Sequence, residues 1–383
     1  MVESGSATTI YQGSYGKPAF STVLNVAMSK CISKEVVDTV YGMSGDPISP
    51  VVALLGGKTL EGVKSVGGKL VWVANKTLPP TVTSALRGQI NPVYDDDWSD
   101  QLEMPIGAIR TDIMLDKSLY QLFLAGDVSL VDAYSAFLKR FAVSHQEGLV
   151  RRFYGDGVQG WDGNSATPAL YNFTNDAGFL PIVGYGFPVE SAARENAILS
   201  STNTYGGKNR STAPNAKYRA RLWDAQSATD FPAASSPGTF ATVGAMSIAH
   251  LMYVANHTFV GTDMCDTCLM SIEEWLQFQN LAQVQSIMAN PNGTDPTLRK
   301  WGFDHFVVGK VRFVCDKLFA RPGQMIFTNF EYTKFYSVTK AELTTAIEQP
   351  LMGKDQYFQK MYTIGQFISK QPGCNAVLYN YGL

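Results

Sequence analysis

The segment from Phe303 to Tyr336, FDHFVVGKVRFVCDKLFARPGQMIFTNFEYTKFY, sets the tightest limit on what this chain can become. Two apolar, β-rich runs flank Arg321-Pro322-Gly323-Gln324. Proline presets φ at the second position of a type II turn, and glycine accepts the positive φ of the third. Strands are therefore expected at about 303–315 and 325–330. Ahead of them, Ser271-Ile272-Glu273-Glu274 has the form of a helix start, with a serine to cap and Glu274 to reach back. That helix is expected to run from 272 to about 288 and to stop near Asn290-Pro291-Asn292-Gly293, after another helix at about 239–256. Helices and strands in this order describe an α+β lobe.

Two longer features precede that lobe. From Gly67 the sequence reads GGKLVWVAN, where Leu70, Trp72 and Ala74 alternate with Val71, Val73 and Asn75. Residues 106–114 are expected as the returning strand. Each arm of such a hairpin has about 20 residues and reaches roughly 60 Å at ~3.3 Å per residue, too far to be buried in its own domain. Then Asp127 caps a helix whose apolar residues Val131, Tyr134, Phe137, Leu138, Phe141, Leu149 and Phe153 recur at three- and four-residue spacing. It is expected over about 128–154, roughly 40 Å at ~1.5 Å per residue, with Gly155 and Gly157 ending it and Arg151 and Arg152 in its last turn. Residues 1–60 are mixed, with a short helix expected at Thr22 to Ile32, and residues 160–235 are rich in Gly, Pro and Asn. Gln356 to Lys370 and Cys374 to Tyr379 read as a terminal hairpin.

Taken in order, TYGGKNRST at residues 204–212, the helix capped at Ser271, a strand ending in Asp316 and the turn into GQMIFTNFEYTKFY resemble the major capsid proteins of tailed bacteriophages. Those proteins have the Hong Kong 97-type shell fold. The resemblance implies an α+β chain with an N-terminal arm (1–66) and an extended β-hairpin loop (67–114) that overlaps a neighbouring subunit. It further implies a peripheral domain (115–160 and 341–383) carrying a spine helix at about 128–154, and an axial domain (161–340). The implied function is self-assembly into hexamers and pentamers of an icosahedral shell that encloses the phage genome, with no reaction to catalyse. Implied partners are further copies of the chain, a separate scaffolding protein, a portal protein and decoration proteins. Double-stranded DNA would be enclosed without sequence-specific binding, in a virion assembled in the host cytoplasm. An encapsulin-like compartment shell, with the same fold around protein cargo, is the alternative. Some capsids of this kind crosslink through a lysine and an asparagine; Lys69, Lys76 and Asn375 are the residues considered, and no sequence feature selects them.

Composition fits a protomer. Charged residues make up 17% of 383 residues, against roughly 25% in ordinary soluble domains, and aromatics make up 12%. A chain that buries several faces against neighbours can replace charge with apolar groups. A net charge of −2 supplies no global basic field for nucleic acid. No apolar window approaches the length that spans a bilayer, and MVESGSATTIYQG has no signal-peptide pattern, so a cytoplasmic protein is expected. The five cysteines are unevenly spaced and are read as reduced thiols.

Inter-subunit contacts are expected at Trp72, at Asp95, Asp96, Asp97 and Trp98 on the extended loop, and at Arg151 and Arg152. The acidic cluster, which continues to Asp100 and Glu103, would meet Arg151 and Arg152 or Arg219 and Arg221 of another copy. It is otherwise a solvated turn, since it lacks the ligand spacing and glycine of a calcium loop. Cys265-Asp266-Thr267-Cys268 has half the spacing of a zinc site, with His250 and His257 upstream. A cytoplasmic thiol- or metal-dependent enzyme built on these residues is the rival of another class; inert packed thiols are the reading favoured. Leu54-Leu55-Gly56-Gly57-Lys58-Thr59 ends like a phosphate loop but lacks its first glycine and leading strand. His145 is read as a core or interface histidine. No catalytic residue, cofactor or metal site is assigned.

Overall fold

The computed structural model describes residues 47–55, 63–75, 99–116, 130–154, 204–209, 220–225, 247–259, 262–279, 298, 303–319, 323–337, 344–348 and 356–379. Its strands begin with β1 (Lys64–Val66), β2 (Lys69–Asn75), β3 (Ser99–Pro105), β4 (Gly107–Asp116), β5 (Thr204–Tyr205), β6 (Lys208–Asn209), β7 (Arg221–Asp224) and β8 (Thr267–Met270). They continue with β9 (His305–Val308), β10 (Val311–Cys315), β11 (Met325–Thr328), β12 (Thr333–Ser337), β13 (Thr344–Glu348), β14 (Gln356–Ser369) and β15 (Ala376–Tyr379). The helices are α1 (Pro50–Leu55), α2 (Leu130–Tyr154), α3 (Ile248–His257) and α4 (Ile272–Gln279). The short helix expected at Thr22 to Ile32 lies outside the described residues. The chain divides into two compact units, Met1–Ile48 with Ala108–Leu149 and Ser337–Ile364, and Ser49–Gly107 with Val150–Tyr336 and Gly365–Leu383.

In the first unit β13 pairs antiparallel with β14, from Thr344 opposite Tyr362 to Glu348 opposite Phe358, and β4 also pairs with β14. The long helix α2 begins near its expected start; Ala142, His145, Gln146 and Leu149 are its buried residues here. Their three- and four-residue spacing is the helical period read from the sequence. His145 is fully buried, and Gln146 Oε1 accepts the Ile48 N–H at 3.3 Å.

The second unit is organised by a six-stranded sheet in the order β7-β15-β11-β8-β10-β9. Register aligns Phe306, Phe313, Cys268, Phe327 and Ala376 in one row across it. Cys315, Met270, Met325 and Leu378 form the row beside it. Both rows pack with Leu251, Val254 and Ala255 of α3 and Trp275 and Phe278 of α4. Phe306 stacks on Phe313 at 4.9 Å between ring centroids, and Trp275 on Phe306 at 5.4 Å. On the opposite face Leu269, Val314, Ile326 and Val377 are no more than 1% exposed. Burial on both faces explains why the runs in 303–336 are nearly continuous in apolar residues rather than alternating.

The expected run 303–315 is a hairpin, β9 and β10, that turns at Gly309 with φ +61°. Gly323 has φ +73°, the value the third position of a type II turn requires. Glu274 joins that turn to the start of α4: its Oε1 accepts the Gly323 N–H at 2.6 Å and its Oε2 accepts the Ser271 hydroxyl. Burial pushes the Glu274 carboxyl up, while the Gly323 amide opposes the shift.

Two expectations change. The terminal hairpin does not form: β15 pairs antiparallel with β11 and parallel with β7, inside the six-stranded sheet, and β14 pairs elsewhere. The strand returning to β2 is Ser99–Pro105, with Lys69 opposite Pro105 and Asn75 opposite Ser99, while 107–116 form β4. Alternation identified the strand at 69–75, but pairing is set by nonlocal packing that local period does not encode.

Candidate assembly surface

The three-stranded sheet β1-β2-β3 is the root of segment 76–98, which joins β2 to β3 in sequence. Leu70 and Trp72 of β2 and Leu102 and Met104 of β3 point to one face and cluster with Val63 and Ile368, with Ile106 and Tyr336 at the margin. The other face carries Val66 at 60% and Val73 at 63% exposure, beside an ion pair between Lys69 and Glu103 at 2.7 Å. Trp72, expected at a contact between subunits, is 1% exposed and packs inside its own chain.

A second hairpin, β5 and β6, meets the outer edge of β3. Gly206 O accepts the Glu103 N–H at 3.1 Å, and Lys208 Nζ lies 3.1 Å from Asp100 Oδ1. Asp100 is 6% exposed, so the last member of the acidic run is held within the chain by Lys208. Gly206 is buried with φ +59°, and a Cβ there would come within 2.8 Å of the Leu102 Cβ. The sequence marked residues 204–212 as a structured loop; its partner strand was not legible. Asp95, Asp96, Asp97 and Trp98 lie outside the described residues. Arg151 and Arg152 occupy the last turn of α2, and Arg151 is partly buried.

Sequence reasoning also missed the group that holds the end of α2. Asp316, fully buried at the end of β10, accepts the Ser49 hydroxyl at 2.5 Å, the Tyr154 hydroxyl at 2.6 Å and the Leu318 N–H at 2.9 Å. Burial pushes its carboxyl above the usual aspartate value, and the three donors limit the rise. The Tyr154 hydroxyl is pushed well up by burial and by Asp316. Phe153 packs edge-on to Tyr154 and Phe367, and Tyr154 stacks on Phe319 at 4.7 Å. Asp316 was legible as a strand terminus; its partners, 162 and 267 residues away, were not.

The residues considered for other chemistry have different engagements. Cys265 and Cys268 are fully buried; burial pushes the Cys265 thiol up to about 12 and the Cys268 thiol well up. Thiols held protonated are poor nucleophiles and poor ligands. His250 Nδ1 accepts the Ser247 N–H at 3.2 Å at the start of α3, and His257 Nδ1 lies 2.9 Å from Tyr253 O. Among the described residues no group of three or more His, Cys, Asp or Glu could hold a metal ion. Leu54 and Leu55 end α1, the rest of the phosphate-loop-like segment lying outside the described residues. Asn375, considered for crosslinking, is fully buried: its Oδ1 accepts from the Thr328 hydroxyl and Asn329 N–H, and its Nδ2 donates to Ser369 Oγ. No helix among the described residues is long and apolar enough to cross a membrane.

No family model and no curated protein matches the sequence. Solved structures do match. A chain of the cyanophage A-1(L) capsid asymmetric unit superposes with a TM-score of 0.55 at 13% identity, over 92% of this chain and 95% of that one. A chain of the cyanophage Pam1 capsid asymmetric unit gives a TM-score of 0.45 at 12% identity, over 84% and 87%. At such identity the first likeness shows the fold: this is an α+β chain with the Hong Kong 97-type capsid fold.

Proposed function

We propose that this chain is the protomer of an icosahedral shell, a major capsid protein that forms hexamers and pentamers around a double-stranded DNA genome. The supporting observation is the end-to-end extent of the likeness to the cyanophage A-1(L) capsid chain, 92% of one and 95% of the other, which leaves little of either chain for another task. The division into arm (1–66), extended loop (67–114), peripheral domain (115–160 and 341–383) and axial domain (161–340) belongs to this reading. So do contacts between Asp95, Asp96, Asp97 and Trp98 of one copy and basic residues, Arg151 and Arg152 among them, of the next. Catalysis has no place in it. A scaffolding protein, a portal and decoration proteins are its partners, with assembly in the host cytoplasm and the virion as destination.

The test is sedimentation of the full chain across a wide concentration range, with electron microscopy of the same samples. Capsomers or closed shells are expected. A single monomeric species at high concentration overturns the reading. Particles from the source that hold protein cargo and no DNA would replace it with the compartment-shell alternative.

A further inference from the structure

We propose that the β5–β6 hairpin is a clasp that fixes the outer edge of β3, with Gly206 and Lys208 acting as positioning residues for the β1-β2-β3 sheet. Its consequence for assembly rests on the shell reading; its existence does not.

β3 is the edge of its sheet, and in an antiparallel ladder every other residue of an edge strand turns its N–H and C=O away from the partner strand. Glu103 is such a residue, and its outward N–H is taken by Gly206 O at 3.1 Å. The contact needs glycine at that position for two independent reasons: a φ of +59° that L side chains rarely adopt, and a gap to Leu102 too narrow for any Cβ. A charge-assisted bond then fixes the lateral position, because Lys208 reaches Asp100 on the same strand at 3.1 Å. Asp100, Leu102 and Glu103 are thus held by residues more than a hundred positions away. These three lie along β3, so the clasp holds the strand over more than one residue. The inner anchors, Trp72 and Leu102, fix which face of the sheet is buried, and the clasp holds its edge. Lys208 is 35% exposed, so this half of the clasp is open to salt, whereas the apolar anchors are not.

The experiment uses the full chain and reads amide hydrogen exchange by mass spectrometry in peptides covering 69–75 and 99–105, with 325–328 as the internal reference. Lys208→Glu and Gly206→Val are expected to speed exchange in 99–105 about tenfold while leaving 325–328 unchanged. Lys208→Arg keeps slow exchange, and added salt reproduces part of the Lys208→Glu effect. Electron microscopy of the same proteins is expected to show closed shells for the parent chain and Lys208→Arg and few for Lys208→Glu. Unchanged exchange in 99–105 in both disruptive variants overturns the clasp, as does equal acceleration in 325–328, which would mean general destabilisation. Altered exchange with normal shells overturns the positioning role. A parent chain that makes no shells at all removes the shell reading, and exchange still decides the clasp.

Discussion

At Asp316 stability and charge are linked. Its native pKa is raised by burial, so the folded state holds a proton more firmly than the unfolded chain. The unfavourable contribution of the buried charge is present above the native pKa and fades as pH falls through it toward the unfolded value. Asp316→Asn keeps an acceptor for the Leu318 N–H and offers two donors to the Ser49 and Tyr154 hydroxyls, which can rotate to accept. Its stability in urea is expected within about 1 kcal/mol of the parent at neutral pH, and the parent should gain on it as pH is lowered. Asp316→Ala strands both hydroxyls and is expected to cost about 2–3 kcal/mol. Equal losses for Asn and Ala would remove the hydrogen-bond account. A second expectation concerns Cys268: at 0% exposure a serine hydroxyl finds no water, so Cys268→Ser is expected to cost about 1–3 kcal/mol in urea melts and Cys268→Ala less. A thiol at this depth is a packing group, as the sequence reading held, but it does not tolerate the polar replacement that a surface thiol would.

At the scale of elements, legibility tracked the range of the interactions involved. The turn at Gly323, the capped start of α4 and the period of α2 depend on residues a few positions apart, and each was readable. The pairing of β2 with Ser99–Pro105, and the closure of Asp100 by Lys208, depend on contacts across 24 to 108 positions, where composition says only that a strand or a charge is present. Gly365 is a further case. It sits in the featureless middle of β14, yet a Cβ there would collide with the Tyr336 carbonyl oxygen of β12 and fall 2.6 Å from the Phe335 ring. Gly365→Ala is therefore expected to push β12 from β14, breaking the neighbouring Thr333 to Ser369 hydroxyl contact of 3.0 Å and costing about 1–3 kcal/mol. Denaturant unfolding measures the loss, and a fully stable variant would show that the β12 backbone at Tyr336 shifts without cost.

For the whole molecule, the fold was legible as an order of elements and not as a site. The acidic run belongs to this scale, because its partners are expected on another copy. Replacing Asp95, Asp96 and Asp97 with lysine should leave circular dichroism unchanged and prevent shell closure seen by microscopy, since like-charge contacts between subunits cost several kcal/mol. Normal shells would leave these aspartates as solvated charges, and loss of the dichroism signal would place them within the fold. Asp100, locked to Lys208, is left out of that substitution because its loss would disturb the root as well.

The place of β15 between β7 and β11 also bears on how the protein is made. Of the six strands, the one translated last fills an interior slot, and its parallel neighbour β7 was translated about 150 residues earlier. At ~5–20 residues per second, β7 waits roughly 10–30 s on the ribosome before its partner exists. During that interval the nascent sheet has an open slot that strands of other nascent chains on the same messenger could enter. The order of synthesis therefore delays the mature surface until Tyr379 has emerged, and it makes the waiting chain a natural client for cotranslational chaperones.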